Sequence, residues 1–121
     1  MKKLILLFSH KITSEQEKDA REKLKCEKII EMNEQMKNRW QNIEDRTEKN
    51  IFKNFLIENA EKEDYVLVQG EWGITYDMVN FCKELGLIPI YSSTKREAIE
   101  KKEGDKIIKT SVFRHRGFIK Y

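Results

Sequence analysis

Tyr65-Val66-Leu67-Val68-Gln69-Gly70-Glu71-Trp72-Gly73-Ile74-Thr75-Tyr76 is the stretch on which the fold is read. A short apolar run feeds into two glycines that bracket an acid and a tryptophan. A helical pattern starts directly afterwards, with Ile74, Met78, Phe81, Cys82 and Leu85 on one face. The reading is a buried strand, a tight turn and a helix. In an open α/β sheet such a junction lies beyond the carboxyl ends of the strands, where backbone N–H groups bind ligands. A βα turn also uses glycine for backbone geometry alone, so Gly-x-x-Gly by itself decides nothing.

Working outward, Leu4–Phe8 is a second continuous apolar run, suited to a strand buried on both faces of a parallel sheet. Ser9-His10-Lys11 ends it. Thr13-Ser14 offers a helix N-cap, with Gln16 and Glu17 each three residues after a hydroxyl, and the helix is expected to run to about Lys25. Its apolar face is thin (Ile12, Ala20, Leu24), which places it on the outside of the sheet. Cys26–Met32 alternates as a second strand. Asn33–Thr47 holds Met36, Trp40 and Ile43 at helical spacing, a short helix with a loop after it. Glu48–Lys62 is a clearer helix, and Asp64–Gln69 is the third strand.

On the other side of the opening stretch, Gly86 is the expected end of the helix and Pro89 stops any continuation. Leu87–Tyr91 is the next strand, expected to end at Ser92–Arg96. The order βα(β)αβαβ means a parallel, right-handed α/β layer fold. Ala98–Glu103 and Lys106–Phe113 then flank Gly104-Asp105, a two-residue hairpin signal. That register sets Glu103 against Lys106 and Glu100 against Lys109, opposite charges facing each other. Phe113–Tyr121 reads as a further short strand.

The chain has 121 residues, one domain over 1–121 with a small core. Charged residues make up 37% and hydrophobic ones 39%, and the net charge is +3, too small for a wrapper of long nucleic acid. The basic excess is local, gathered from Lys95 to Tyr121, which favours an anionic partner or a solvated hairpin. Cys26 and Cys82 lack metal-ligand spacing and read as buried thiols. The start, Met1-Lys2-Lys3 and Leu4–Phe8, looks like a signal peptide only superficially, since the apolar run is short and no small-residue cleavage pattern follows. No segment reaches the roughly 20 apolar residues of a membrane span. The expectation is a cytoplasmic protein without a membrane partner.

In a parallel sheet, three strand ends would converge on one edge: Ser9-His10-Lys11, Gln69–Trp72 and Ser92–Arg96. They bring hydroxyls, a histidine, an amide, lysines and an arginine. Glu71 is the one acid, too few for a two-metal phosphodiesterase, so no metal and no cofactor is expected. The edge reads as an anion-binding rim, and Trp72 and Tyr76 add flat surfaces for stacking on bases. Each residue has a plainer alternative. His10 suits a helix cap or solvent, Thr94-Lys95-Arg96 a solvated turn, and Trp72 the core or a subunit contact. Trp40 with Met32 and Met36 belongs in the core. Arg114-His115-Arg116 can reach an anion or another subunit. There is no Walker-type loop, no complete Gly-x-Gly-x-x-Gly, no Ser/His/Asp spacing and no zinc motif.

Three blocks in combination, Lys3–Lys11, Asp64–Tyr76 and Gly86–Glu97, resemble the stand-alone CRISPR-associated ring nucleases of the Csx-twenty type, related to CARF domains. The likeness covers nearly the whole chain and is diffuse between Asn33 and Glu61. It implies an α/β, Rossmann-like (CARF-type) three-layer fold, with a mainly parallel central sheet and a C-terminal antiparallel β-hairpin. It implies a homodimer that binds cyclic tetra-adenylate across its two-fold axis and linearises it, switching off type III CRISPR signalling. The usual mechanism is metal-independent: a ribose 2′-OH attacks the adjacent phosphate and leaves a 2′,3′-cyclic phosphate.

Because the substrate brings its own nucleophile, the protein has to align it and stabilise phosphorane charge. On this reading His10 is the acid–base candidate, Lys95 and Arg96 stabilise charge, and Ser9 and Thr94 hold a phosphate oxygen. Lys11, Gln69, Gly70, Glu71, Trp72, Gly73, Tyr76, Ser93 and Arg114 complete the binding set. The alternatives are a binding-only protein that sequesters or senses the ring, and a mononucleotide-binding domain. The missing phosphate loop counts against the last, and the lack of an appended effector domain counts against a sensor acting in cis.

Overall fold

The computed structural model describes residues 2–44 and 46–121, the side chains of Arg46 and Thr47 excepted. Met1, in the charged start, and Asp45, in the loop expected after Ile43, lie outside the described residues. The elements are β1 (Lys2–Leu7), α1 (Ser14–Glu22), β2 (Cys26–Ile30), α2 (Glu34–Gln41), a 3-10 turn (Arg46–Lys49), α3 (Asn50–Asn59), β3 (Tyr65–Val68), α4 (Trp72–Glu84), β4 (Ile88–Glu103) and β5 (Lys106–Lys120).

They form one five-stranded sheet in the order β2-β1-β3-β4-β5. β1 pairs in parallel with β2 and with β3, β3 in parallel with β4, and β4 antiparallel with β5. The chain steps from β1 to β2 in one direction, then crosses back over β1 to reach β3 and β4. Right-handed crossovers therefore put α1 on one face and α2, α3 and α4 on the other. The cores agree. Leu4, Leu6, Leu67 and Ile90 pack with Ala20, Ile12 and Leu24 on the α1 side. Ile5, Leu7, Val66 and Val68 pack with Trp40, Phe52, Leu56, Ile74 and Met78 on the other. Successive strand residues point to opposite faces. β1 and β3 therefore need an unbroken apolar run, and both have one. The fold is a three-layer α/β fold with a mixed sheet.

The helix ends follow from local chemistry. Thr13 caps α1 in a capping box, its Oγ1 accepting from Gln16 N at 3.1 Å and its N–H donating to Gln16 Oε1 at 2.9 Å. Asn33 caps α2 through Met36 N at 2.8 Å. After α4, Gly86 takes φ 74°. Leu87 N then donates to Cys82 O at 2.9 Å and Gly86 N to Lys83 O at 3.2 Å, closing the helix in a Schellman motif. Lys25, also left-handed at φ 59°, turns the chain between α1 and β2.

The hairpin has the register expected from Gly104-Asp105, with Glu103 opposite Lys106 and Glu100 opposite Lys109. Lys109 Nζ lies 3.7 Å from Glu100 Oε1. Its length corrects the sequence reading. β4 does not end at Tyr91, and Ser92–Arg96 is not a strand-end loop but lies within the strand. Phe113–Tyr121 is mostly the continuation of β5, not a separate strand. The physical reason is that β5 supplies ladder partners to polar residues that no core would hold, and a bulge between Ser93 and Thr94 takes up the register shift. From Ala98 to Ser111 every residue is exposed, so the hairpin runs past the layers as a two-stranded arm.

Candidate functional site

Gln69 follows β3 and ties together three elements. Its N–H donates to Leu7 O at 3.2 Å, its carbonyl accepts from Trp40 Nε1 at 2.8 Å, and its Oε1 accepts from Ser92 N at 3.0 Å. Gly70 is a glycine because of Trp40: a Cβ there would lie 2.5 Å from the indole Nε1. The close approach of a buried ring, not a ligand, accounts for that residue.

Glu71 changes the reading of the turn. Its carboxylate accepts from Gly73 N at 2.7 Å and from Ile74 N at 3.0 Å, capping α4. The N–H groups expected to stand open for an anion are held by the chain's own acid, placed where a negative charge meets the positive end of the helix. The helix also begins at Trp72, two residues earlier than its apolar stripe announces.

Beyond that cap, α4 carries a second stripe. Trp72, Thr75, Tyr76 and Val79 follow the i, i+3, i+4, i+7 spacing of one helix face. With Gln69, Gly70 and Tyr121 they line an open cleft of about 420 Å³. Trp72 is 91% exposed and Tyr76 65%, so two large rings stand at its rim. Tyr121 is fixed by its N–H to Pro89 O at 3.1 Å, by its phenol donating to Val68 O, and by its ring 5.0 Å from that of Tyr91. Burial, and then Tyr91 beside it, push the Tyr121 phenol above its ordinary pKa. Thr75 Oγ1 is buried beside the cleft with no hydrogen-bond partner among the described residues.

The other expected site residues fall on two elements. Ser9, His10 and Lys11 follow β1; Ser9 is half-buried, and His10 and Lys11 are exposed. The His10 ring meets Phe8 edge-on at 5.3 Å, and Thr13, not His10, caps the helix. Ser93 is half-buried beside Arg116 and Phe118. Thr94 lies opposite His115, Lys95 opposite Arg114 and Arg96 opposite Phe113. The Arg96 guanidinium donates to Ser111 Oγ at 2.9 and 3.1 Å. Arg114 is partly neutralised, with Glu97 Oε2 at 2.9 Å and Glu15 Oε1 at 3.7 Å. The structure therefore joins the Gln69 turn to the root of the hairpin directly, through Ser92, and leaves Lys95 and Arg96 exposed three and four residues further along the same strand.

One constellation escaped the sequence reading. Ser92 Oγ lies 2.5 Å from His115 Nδ1, and His115 Nε2 lies 2.7 Å from Asp19 Oδ2. No Ser/His/Asp spacing is visible along the chain, yet the fold assembles one. Gln16 Nε2 donates to the same Ser92 Oγ at 3.2 Å. Ser92 is 6% exposed and its oxygen meets the imidazole at Nδ1 while the carboxylate takes Nε2. It is thus a buried tie between α1 and the hairpin, with its hydroxyl turned inward. The signal for half of it was present: the hairpin register, extended past the arm, sets His115 opposite Thr94.

Cys26 and Cys82 are buried free thiols, as expected. Burial, with the charge of Asp64 as the next cause, pushes Cys26 up to about 11, and burial pushes Cys82 up to about 12. Among the described residues, no group of three or more His, Cys, Asp or Glu is arranged to hold a metal ion. No helix among them is long and apolar enough to cross a membrane.

Comparison with known proteins gives one family. A profile of the family described as "Uncharacterized protein MJ1673 family" matches residues 2–119. The chain is 45% identical over 127 aligned positions to "Uncharacterized protein MJ1673" of Methanocaldococcus jannaschii, covering 100% of this chain and 98% of that one. No solved structure matches.

Proposed function

We propose that this chain, which belongs to the MJ1673 family, is a ring nuclease that binds cyclic tetra-adenylate and linearises it without a metal. On this reading the three-layer fold is a Rossmann-like domain of the CARF type, working as a cytoplasmic homodimer in type III CRISPR signalling. The observation that supports it most is the aromatic cleft of Trp72, Tyr76 and Tyr121 after β3. That cleft is joined through Gln69 and Ser92 to the strand that carries Lys95 and Arg96. Flat faces for bases beside cations for phosphates are what a small adenylate ring requires.

The reaction divides the work in a definite way. The ribose 2′-OH attacks the adjacent phosphorus, its proton passes to a base, and the 5′-oxygen leaves with a proton, giving a 2′,3′-cyclic phosphate and a 5′-OH. Lys95 and Arg96 stabilise the extra charge of the phosphorane, Ser9 and Thr94 hold a non-bridging oxygen, and exposed His10 exchanges the proton. Lys11, Ser93 and Arg114 add anion contacts. Since Glu71 fills the start of α4, the ring phosphates go to the hairpin cations, and the Gln69–Tyr76 segment grips base and ribose. A two-fold dimer presents this edge twice to a ring of the same symmetry.

A binding-only role is the second reading. It is favoured by the exposure of His10, whose ring leans on Phe8, and by the inward hydroxyl of Ser92. Incubation of the pure protein with cyclic tetra-adenylate in EDTA, resolved by chromatography, separates the two. Linear fragments support the nuclease. A bound but intact ring supports sequestration, and absence of binding rules out both.

A further inference from the structure

We propose that the β4 edge of the arm docks a second copy of this chain, the two β4 strands pairing antiparallel about a two-fold axis at Ile99. The arm is open to such a partner. β3 pairs with β4 only from Ile88 to Ile90. Beyond that point β4 has β5 on one side and, among the described residues, no strand on the other. The outer side of β5 is equally open. A free edge offers its backbone N–H and C=O groups to another strand, and a two-stranded ribbon in water gains stability from a third and a fourth.

The two edges differ in charge. β5 carries Lys106, Lys109, Arg114, Arg116 and Lys120 and no acid, so two copies of it repel. β4 alternates in sign. Along one face it reads Lys95, Glu97, Ile99, Lys101, Glu103. In an antiparallel pair about a two-fold axis, residues at equal distances on either side of the axis face each other. With Ile99 on the axis, Lys95 meets the partner's Glu103, Glu97 meets the partner's Lys101, and Ile99 meets its own copy. Each ion pair forms twice. On the other face Arg96 comes opposite the partner's Lys102, but the Arg96 guanidinium is drawn aside to Ser111 Oγ. Moving the axis to Ala98 sets Lys95 against the partner's Lys101, and moving it to Glu100 sets Glu97 against the partner's Glu103. The charges therefore select the Ile99 register. Ile108 and Val112 of β5 lie diagonal to Ile99 on the same face, so pairing also gathers their exposed apolar surface.

This contact goes beyond the cyclic-adenylate reading. Its axis lies roughly 20 Å along the strand from Ser92, at about 3.3 Å per residue, and is separate from the axis on which a ring would lie. Lys95 is common to both, but an exposed ion pair is weak, and a phosphate displaces the partner's Glu103 from it.

The test needs no nucleotide, so its result and that of the ring assay are independent. Cys26 and Cys82 are buried. Ile99→Cys and Ile108→Cys place thiols on one face of the arm, at positions 45% and 44% exposed. Residues facing each other in an antiparallel pair have Cα atoms roughly 4.5–5.5 Å apart, within disulfide reach. Under mild oxidation with diamide at low protein concentration, Ile99→Cys should cross-link into a dimer and Ile108→Cys should not. Adding Lys101→Glu to Ile99→Cys, which sets acids face to face twice, should slow cross-linking about tenfold. Adding Glu97→Lys as well should restore it, and salt should narrow the difference. Equal rates at the two cysteine positions, or no recovery on the charge swap, would overturn the proposal. Faster cross-linking through Ile108→Cys would assign the contact to the β5 edge and overturn it as well.

Discussion

The layered body and the β4–β5 arm hold their shape by different physics. In the body, Leu4, Ile5 and Leu7 of β1 and Val66, Leu67 and Val68 of β3 are fully buried, and helices cover both faces. In the arm, Ala98–Ser111 is exposed throughout, and order comes from the antiparallel ladder and from cross-strand pairs such as Glu100–Lys109. The body is specified by which residues leave water; the arm is specified by its turn and by which charges face each other. The candidate site sits where the two meet, at Gln69, Ser92 and Tyr121.

The sharpest way to break that contrast is chemical. Burial pushes the Cys82 thiol up to about 12. At pH 8 its thiolate is therefore far scarcer than in the unfolded chain. Iodoacetamide should leave both native thiols intact until denaturant is added, whereas a cysteine placed in the arm by Ser111→Cys should react at once. Ready alkylation of the folded wild type would contradict the burial. The sign for stability follows. A thiol raised on folding favours the native state fully below its unfolded pKa, and that contribution is lost as pH climbs from about 9 through 11 and 12.

Next in size is Trp40→Ala, which removes a fully buried ring and the donor to Gln69 O. We expect a loss of about 3–5 kcal/mol in denaturant titration, the range for large-to-small aromatic changes. Gly70→Ala should cost about 1–3 kcal/mol by overpacking against the same indole. The two effects should be strongly non-additive, and additivity would show that Trp40 does not fix Gly70. His115→Phe leaves Ser92 and Asp19 without their shared partner and should cost about 1–3 kcal/mol. Smallest is Glu100→Lys in the arm, which sets like charges opposite each other for less than about 1 kcal/mol, an effect that salt should shrink. A loss as large as that of Trp40→Ala would mean that the arm is not held by exposed pairs at all.

These magnitudes track what could be read in the chain. The apolar runs Leu4–Phe8 and Tyr65–Val68, the Gly86 stop and the Gly104-Asp105 turn are local signals, and each marks an element of the structure. The continuation of β4 through Ser92–Arg96 was hidden because its polar residues resemble a strand-ending cluster, and their ladder partners lie beyond the turn. In the sequence Glu71 belongs to the expected anion site; only the geometry of α4 reveals it as the anion already there. The meeting of Asp19 with His115, 96 residues apart, needs the packing of α1 on the hairpin and has no local trace. The cleft was half legible: Trp72 and Tyr76 stood out as rings, but Thr75 and Tyr121 carry no motif.

The central claim is that the edge formed by the Gln69 turn and the hairpin root binds a cyclic adenylate. Amide chemical-shift mapping with a 2′-O-methyl cyclic tetra-adenylate, which has no nucleophile and cannot be opened, tests it directly. The account predicts the largest shifts at Gln69–Tyr76 and Ser92–Arg96, with smaller ones at Ser9–Lys11. Saturating ligand that leaves those amides unmoved would contradict it.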